Sequence, residues 1–190
     1  MTQSLIIVGS PRAAGVSARY AAQLESELEG RRTDSPFAPS AVVWRVSDHD
    51  VSGCIGCEVC RSRLTCAFDD DMAGLMGFLD ACDEVHVVCP VYFAGPPAQF
   101  KCVLDRLQPY WERRCGPNAK GLQELAAAPL AAGRLEAQKR PVTLHIIGSG
   151  GDPHGFEPLV TIVRSAFGAA GFSLVEVRDR IGWGQGGMHV

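Results

Sequence analysis

Ser4–Ser17 reads SLIIVGSPRAAGVS, and its first half decides the fold. Ser4–Val8 is an apolar run without polar alternation, stopped by Gly9-Ser10-Pro11-Arg12. A strand that is apolar on both sides suits burial on both sides, as in a parallel sheet covered by helices. From Ser17 to about Glu29 the period changes. Tyr20, Leu24 and Leu28 recur on one helical stripe, with Ser17 a suitable N-cap.

The same strand, loop and helix unit then repeats. Arg31–Ser40 is a loop punctuated by two prolines, and Ala41–Val46 (AVVWRV) reads as a second strand with Val42, Trp44 and Val46 on one face. Asp69–Asp71 supplies an N-cap and first-turn acids for a helix to about Ala81, carrying Met72, Leu75, Met76 and Leu79. Glu84–Cys89 is a third strand. Pro97 then opens a helix from Ala98 to Trp111, with Phe100, Val103, Leu104 and Leu107 inward. Arg113–Arg140 reads as an insertion holding one short helix near Leu122–Ala128. Val142–Ile147 is a fourth strand, Phe156–Ala170 a helix stopped by Gly171, and Ser173–Val177 a fifth strand before the tail IGWGQGGMHV.

Helices between consecutive strands call for a parallel sheet with right-handed crossovers. Five strands fit the flavodoxin-like order 2-1-3-4-5, an α/β doubly wound sheet with helices on both faces. With 190 residues, and neither an internal repeat nor a linker, 1–190 reads as one domain.

The chain is 46% hydrophobic and 21% charged with net charge −3, which gives no reason to expect nucleic acid or an anionic membrane as partner. The N-terminus lacks a basic stretch before its short apolar run, and no later run nears the ~20 residues that span a bilayer. A cytoplasmic location is expected, where thiols stay reduced and clustered cysteines favour metal or redox chemistry.

In a doubly wound sheet, ligands bind beyond the carboxyl ends of the strands where strand order reverses. The loops after strands one, three and four meet there. Gly9–Ser17 carries hydroxyls, glycine and arginine into a helix start and can wrap a phosphate, although an ordinary strand-to-helix turn is the rival. It matches neither G-x-x-x-x-G-K-[ST] nor G-x-G-x-x-G. Pro90–Gly95 offers Tyr92 and Phe93 to flank a planar ring, against the plainer reading of core or rim aromatics. Gly148–Asp152 lets backbone approach a ligand, or is simply a turn.

Gly53–Met72, GCIGCEVCRSRLTCAFDDDM, holds Cys54, Cys57, Cys60 and Cys66, half of the chain's eight cysteines, spaced C-x2-C-x2-C-x5-C. Four thiolates are the ligand count of a [4Fe–4S] cluster and of a structural zinc. Zinc usually takes two separated C-x2-C pairs, and free thiols remain a further reading. Cys82, Cys89 and Cys102 fall at buried positions, and Cys115 is open to solvent.

Three stretches, GSPRAAGVS (Gly9–Ser17), the cysteine loop running into DDDM, and CPVYFAGPPAQFKCVLDR (Cys89–Arg106), resemble the flavodoxin-like NADPH-dependent FMN reductase and iron–sulfur flavoprotein family. The resemblance implies FMN. Ser10, Arg12, Ser17 and the Val16 and Ala18 amides would hold its phosphate. Pro90, Val91, Tyr92 and Phe93 would lie along the isoalloxazine, with Gly148, Ser149, Gly150 and Gly151 a third contact. Ala18 stands where a second polar residue is common, and Arg113–Arg140 and the tail from Gly182 match nothing in the family. The cysteine spacing resembles the compact motif of iron–sulfur flavoproteins, implying a [4Fe–4S] cluster, although flavin-only relatives carry similar loops.

The implied function is an oxidoreductase passing electrons from NAD(P)H or a reduced protein to a small-molecule or protein acceptor, in a homo-oligomer. A non-catalytic FMN carrier and a zinc-bearing module are the alternatives. No side chain is assigned a catalytic role, since flavin chemistry resides in the cofactor. His86 and His145 fall inside strands as satisfied core histidines, His49 is scattered, and His154 is a candidate contact near the third loop. Lys101, Asp105 and Arg106 read as a solvated, ion-paired helix face.

Overall fold

A computed structural model describes residues 3–30, 41–117, 139–150 and 152–184. Its strands are β1 (Ser4–Val8), β2 (Ala41–Arg45), β3 (Glu84–Pro90), β4 (Arg140–Gly148) and β5 (Phe172–Ile181). Its α-helices are α1 (Val16–Gly30), α2 (Val59–Arg63), α3 (Met72–Ala81), α4 (Ala98–Asp105), α5 (Gln108–Cys115) and α6 (Glu157–Ala169), with a 3-10 turn at Val46–Asp48. The strands form one parallel sheet in the order β2-β1-β3-β4-β5. The flavodoxin-like expectation is met.

All five β1 residues are buried, as an apolar run between two covered faces requires. On one face, Leu5, Ile7, Val87, Leu144 and Ile146 pack against Leu75, Phe100, Val103, Leu159 and Phe167. On the other, Ile6, Val8, Val88 and Ile147 meet Tyr20, Ala21, Leu24 and Leu28 of α1.

This second face turns polar toward β5. The Tyr20 hydroxyl lies 2.8 Å from His145 Nδ1, and His145 Nε2 lies 3.2 Å from His86 Nδ1. Arg180 Nε donates to the Tyr20 oxygen at 3.1 Å. A hydroxyl that accepts from arginine has its own hydrogen left for His145 Nδ1. His145 then donates from Nε2 to His86, whose own Nε2 is buried without a hydrogen bond, 3.6 Å from Glu84 Oε1, so His86 is not the satisfied core histidine expected. His145 is fully buried and its pKa is pushed down to about 3, first by burial and then by His86 and the Arg178 and Arg180 charges. It is a core histidine with both ring nitrogens engaged.

Local departures from the sequence reading have physical causes. Ser17 is not the N-cap: the Arg19 amide bonds the Gly15 carbonyl at 3.1 Å, so α1 starts two residues earlier than that role requires. The expected helix Ala98–Trp111 breaks at Arg106-Leu107 because Pro109 has no N–H for the Asp105 carbonyl. The chain restarts as α5 and runs to Cys115, so Arg113–Cys115 are helical rather than part of an insertion. The rest of that insertion, with its short helix near Leu122–Ala128, lies outside the described residues.

Strand β5 is twice the expected length. Its polar half pairs with β4 through a register shift at Val142/Thr143, and charged residues suit an edge strand. No described helix is long and apolar enough to cross a membrane.

Candidate functional site

Because the sheet is parallel, the loops after β1, β3 and β4 leave the same edge, with the crossovers diverging between β1 and β3. The first loop is anchored beneath by packing. Gly9 donates to the Val88 carbonyl at 2.9 Å, and a Cβ there would lie 2.7 Å from the Phe100 ring. Ser10 is buried, and its hydroxyl accepts from the Arg12 amide at 3.2 Å, while the Arg12 side chain stays exposed. With the first α1 bond closing at Arg19 to Gly15, the Val16, Ser17 and Ala18 amides precede the helical ladder. Buried Ser17 sits among them. Three amides at a positive helix end, with Ser10, Ser17 and the exposed Arg12 on the same loop, have the chemistry to receive an anion.

The second loop is pinned where the Val91 amide meets the Ile147 carbonyl at 3.0 Å. Tyr92 and Gly95 then exchange two backbone hydrogen bonds of 2.9 and 3.1 Å, closing a two-residue turn on Phe93 and Ala94. Both central residues take positive φ, +49° and +62°, which is a strained choice for phenylalanine. The Ala94 carbonyl accepts from the Leu159 amide at 3.1 Å, so α6 holds the turn in place. Phe93 is fully exposed and Tyr92 45% exposed, so neither is a core aromatic.

In the third loop, Gly148 and Gly150 lie against Ile181, and Gly150 has φ +82°. Ser149 is exposed, and Gly151 lies outside the described residues. His154 is exposed on the following turn, its amide bonded to Asp152 Oδ1 at 2.9 Å. The Gly182 amide bonds the Gly148 carbonyl at 2.7 Å and Trp183 meets the Tyr20 ring edge-on at 5.0 Å. The start of the tail therefore folds onto α1, a contact the sequence pattern did not reveal.

The cysteine loop leaves the carboxyl end of β2, beside β1. Positive φ at Gly56, Glu58 and Leu64 turns it sharply around the single helical turn that carries Cys60. All four of Cys54, Cys57, Cys60 and Cys66 line one cavity of about 470 Å³, with Arg106, Trp111 and Glu112 on its other wall. Cys54 and Cys57 are exposed, and Cys60 and Cys66 half-buried. The Cys60 thiol pKa is raised by burial first, then by Glu112, Cys54 and Cys66. A bound cation would reverse that cost. Among the described residues, no three His, Cys, Asp or Glu side chains are gathered for a single metal ion.

Two arginines hold this loop, and one corrects the sequence reading. Arg106 is not on a solvated face: its side chain is 1% exposed. Nη1 donates to the Ser52 carbonyl at 2.9 Å and to Asp70 Oδ2 at 2.7 Å, while Nη2 donates to Asp70 Oδ1 at 2.9 Å. Asp70 also accepts from the Ser52 and Met72 amides. The loop's two ends are thus fastened to one guanidinium. Burial opposes the Asp70 charge, but the Arg106 fork and these amides hold its carboxyl below the usual range.

The guanidinium also lies over the Phe68 ring at 4.8 Å, and its Nε is buried without a partner. Arg113 donates through Nε and Nη2 to the Leu64 carbonyl at 3.2 and 2.9 Å. Asp71 does not cap α3 with its side chain; it accepts from the Asp50 amide at 2.8 Å. Lys101 and Asp105 do form the expected exposed ion pair. Cys82 and Cys89 are buried as expected, Cys102 is half-buried, and Cys115 is exposed.

A five-stranded doubly wound sheet, with specialised loops at its switch point, defines a flavodoxin-like protein. The chain belongs to the NADPH-dependent FMN reductase family, whose model matches residues 2–150. It is 33% identical over 115 residues to an iron-sulfur flavoprotein of Archaeoglobus fulgidus, covering 60% of this chain and 48% of that protein. An iron-sulfur flavoprotein of Methanosarcina thermophila is 35% identical over 102 residues, covering 53% and 49%. The chain thus spans about half the length of these curated relatives. An FMN-dependent NADH-azoreductase of Bacillus anthracis, solved in complex with FMN, shares the fold with a TM-score of 0.60 at 10% identity, covering 96% of this chain and 88% of that one.

Proposed function

We propose that the chain is an FMN-dependent oxidoreductase, taking electrons from NAD(P)H or a reduced protein partner and passing them to a separate acceptor. In this reading Cys54, Cys57, Cys60 and Cys66 hold a [4Fe–4S] cluster. The observation that carries it is one sheet edge bearing both a loop suited to an anion, with exposed aromatics, and, on the neighbouring strand, a cavity lined by four thiols. The family's FMN and the iron-sulfur flavoprotein relatives support each half.

FMN, when bound, accepts a hydride and returns electrons singly or in pairs. The chain's residues bind and orient it. Ser10, Arg12, Ser17 and the Val16 and Ala18 amides take the phosphate. Pro90, Val91, Tyr92 and Phe93 lie along the ring, and Gly148, Ser149 and Gly150 complete the rim. Four thiols lining one cavity supply the ligand count of such a cluster.

Anaerobic purification tests this. The expected protein shows a flavin spectrum with a broad brown shoulder, iron and sulfide in equal amounts, and bleaching by NAD(P)H. Flavin without iron removes the cluster. A colourless protein that binds no added FMN overturns the whole reading.

A further inference from the structure

We propose that Arg106 is the positioning residue that sets the reduction potential of the centre held by the four cysteines, through an Nε–H hydrogen bond to sulfur. This rests on the cluster reading above. Three observations place the residue. Arg106 lines the same cavity as all four cysteines. Its guanidinium, 1% exposed, uses Nη1 and Nη2 to grip Asp70 and the Ser52 carbonyl. Nε is left buried with no partner, and Cys66 lines the same cavity.

A buried N–H on a charged group is costly to leave without an acceptor. Asp70, bonded end-on across Nη1 and Nη2, does not serve Nε, and each of its oxygens already accepts two hydrogen bonds, one from an Nη and one from a backbone amide. The cavity that Arg106 shares with the four thiols is where a bound centre would bring a sulfur acceptor. A thiolate or sulfide becomes a better acceptor as the centre gains an electron, so such a bond stabilises the reduced form and raises the potential. Asp70 holds the donor at a fixed angle while compensating its charge.

Loop clamping alone would also make Arg106 important, so the test reads potential and hyperfine coupling in the loaded holoprotein rather than activity. Arg106→Lys keeps a cation for Asp70 and the Ser52 carbonyl but has no Nε. At a fixed potential its reduced-to-oxidised ratio is expected to fall about tenfold relative to wild type, or about 59 mV for one electron, with FMN and iron retained. An unchanged potential at full iron content overturns the proposal and leaves Arg106 a clamp.

Should the variant not hold iron, wild type grown on 15N-guanidinium arginine decides. Pulsed EPR of its reduced centre should show a 15N coupling that survives Arg61→Lys, which replaces the other arginine on the cavity wall. No coupling, or a coupling lost in Arg61→Lys, overturns the proposal. A wild type that binds FMN but never holds iron overturns the cluster reading first, and this inference with it.

Discussion

Acid should unfold this protein through His145 before it does so through the carboxylates. His145 is fully buried between Tyr20 and His86, with its pKa pushed down to about 3 by burial, His86 and the nearby arginines. An unfolded-chain histidine titrates near ~6.5. Because the folded pKa is the lower one, the unfolded state takes up the proton first. The contribution is fully present above about pH 6.5 and is lost as pH falls toward about 3. At about pH 5 the unfolded chain binds nearly one extra proton here, which corresponds to a loss of about 2 kcal/mol relative to pH 7.

Asp70 and Glu176, whose carboxyls are held below their usual range by Arg106 and Arg178, lose their contributions at lower pH still. The interval from pH 7 to 5 therefore separates His145 from these two carboxylates, and the comparison with His145→Gln reads its share. Urea unfolding followed by tryptophan fluorescence should show the about 2 kcal/mol loss in wild type. His145→Gln should be less stable at pH 7 yet flatter by that amount. Nitrogen NMR should find His145 neutral at pH 5 with hydrogen on Nε2. Equal pH slopes in the two proteins, or a His145 ring that titrates near pH 6.5, would refute the reasoning.

Gly9→Ala places a Cβ 2.7 Å from the ring of Phe100, which is fully buried and cannot yield, so urea denaturation should show a loss of about 1–3 kcal/mol; a neutral outcome would mean the first loop has room to shift. Phe93→Gly removes a side chain that buries nothing in the protein alone and relieves a φ of +49°. Apoprotein stability should rise by about 0.5–1 kcal/mol while FMN affinity, followed by fluorescence quenching, falls severalfold. Unchanged affinity would place Phe93 off the flavin.

The sheet order was legible because each strand carries its own evidence. SLIIV and VTLHII are apolar on both sides, which only a doubly covered parallel sheet satisfies, and the helical stripe between them fixes the crossover. The ends of elements were less legible because neighbours set them. Pro109 splits a helix whose apolar stripe runs straight through the break. The β5 run of Val175, Glu176, Val177 and Arg178 hides the strand's length, since an edge strand needs burial on little of its surface. The first and second loops were readable as special. The positive φ of Phe93 was not, because it depends on α6 gripping the Ala94 carbonyl from more than sixty residues away.

The cysteine loop shows the limit from the other side. Spacing gave the number of thiols but not what shapes the loop around them. Arg106 falls three residues after Val103, next to the inward stripe of α4, and a charge at such a place needs a partner. The acidic run Asp69–Asp71 was the obvious source, yet a helix-capping role explained it locally and concealed the pairing across 36 residues. With Ser52 and Asp70 both bound to one buried guanidinium and Leu64 bound to Arg113, the loop is held by its surroundings rather than by whatever the thiols bind. Small zinc domains take their fold from the metal and unfold without it. Here the thiols are set around their cavity by the arginines, so loss of a bound centre should leave the sheet and the loop's attachment in place.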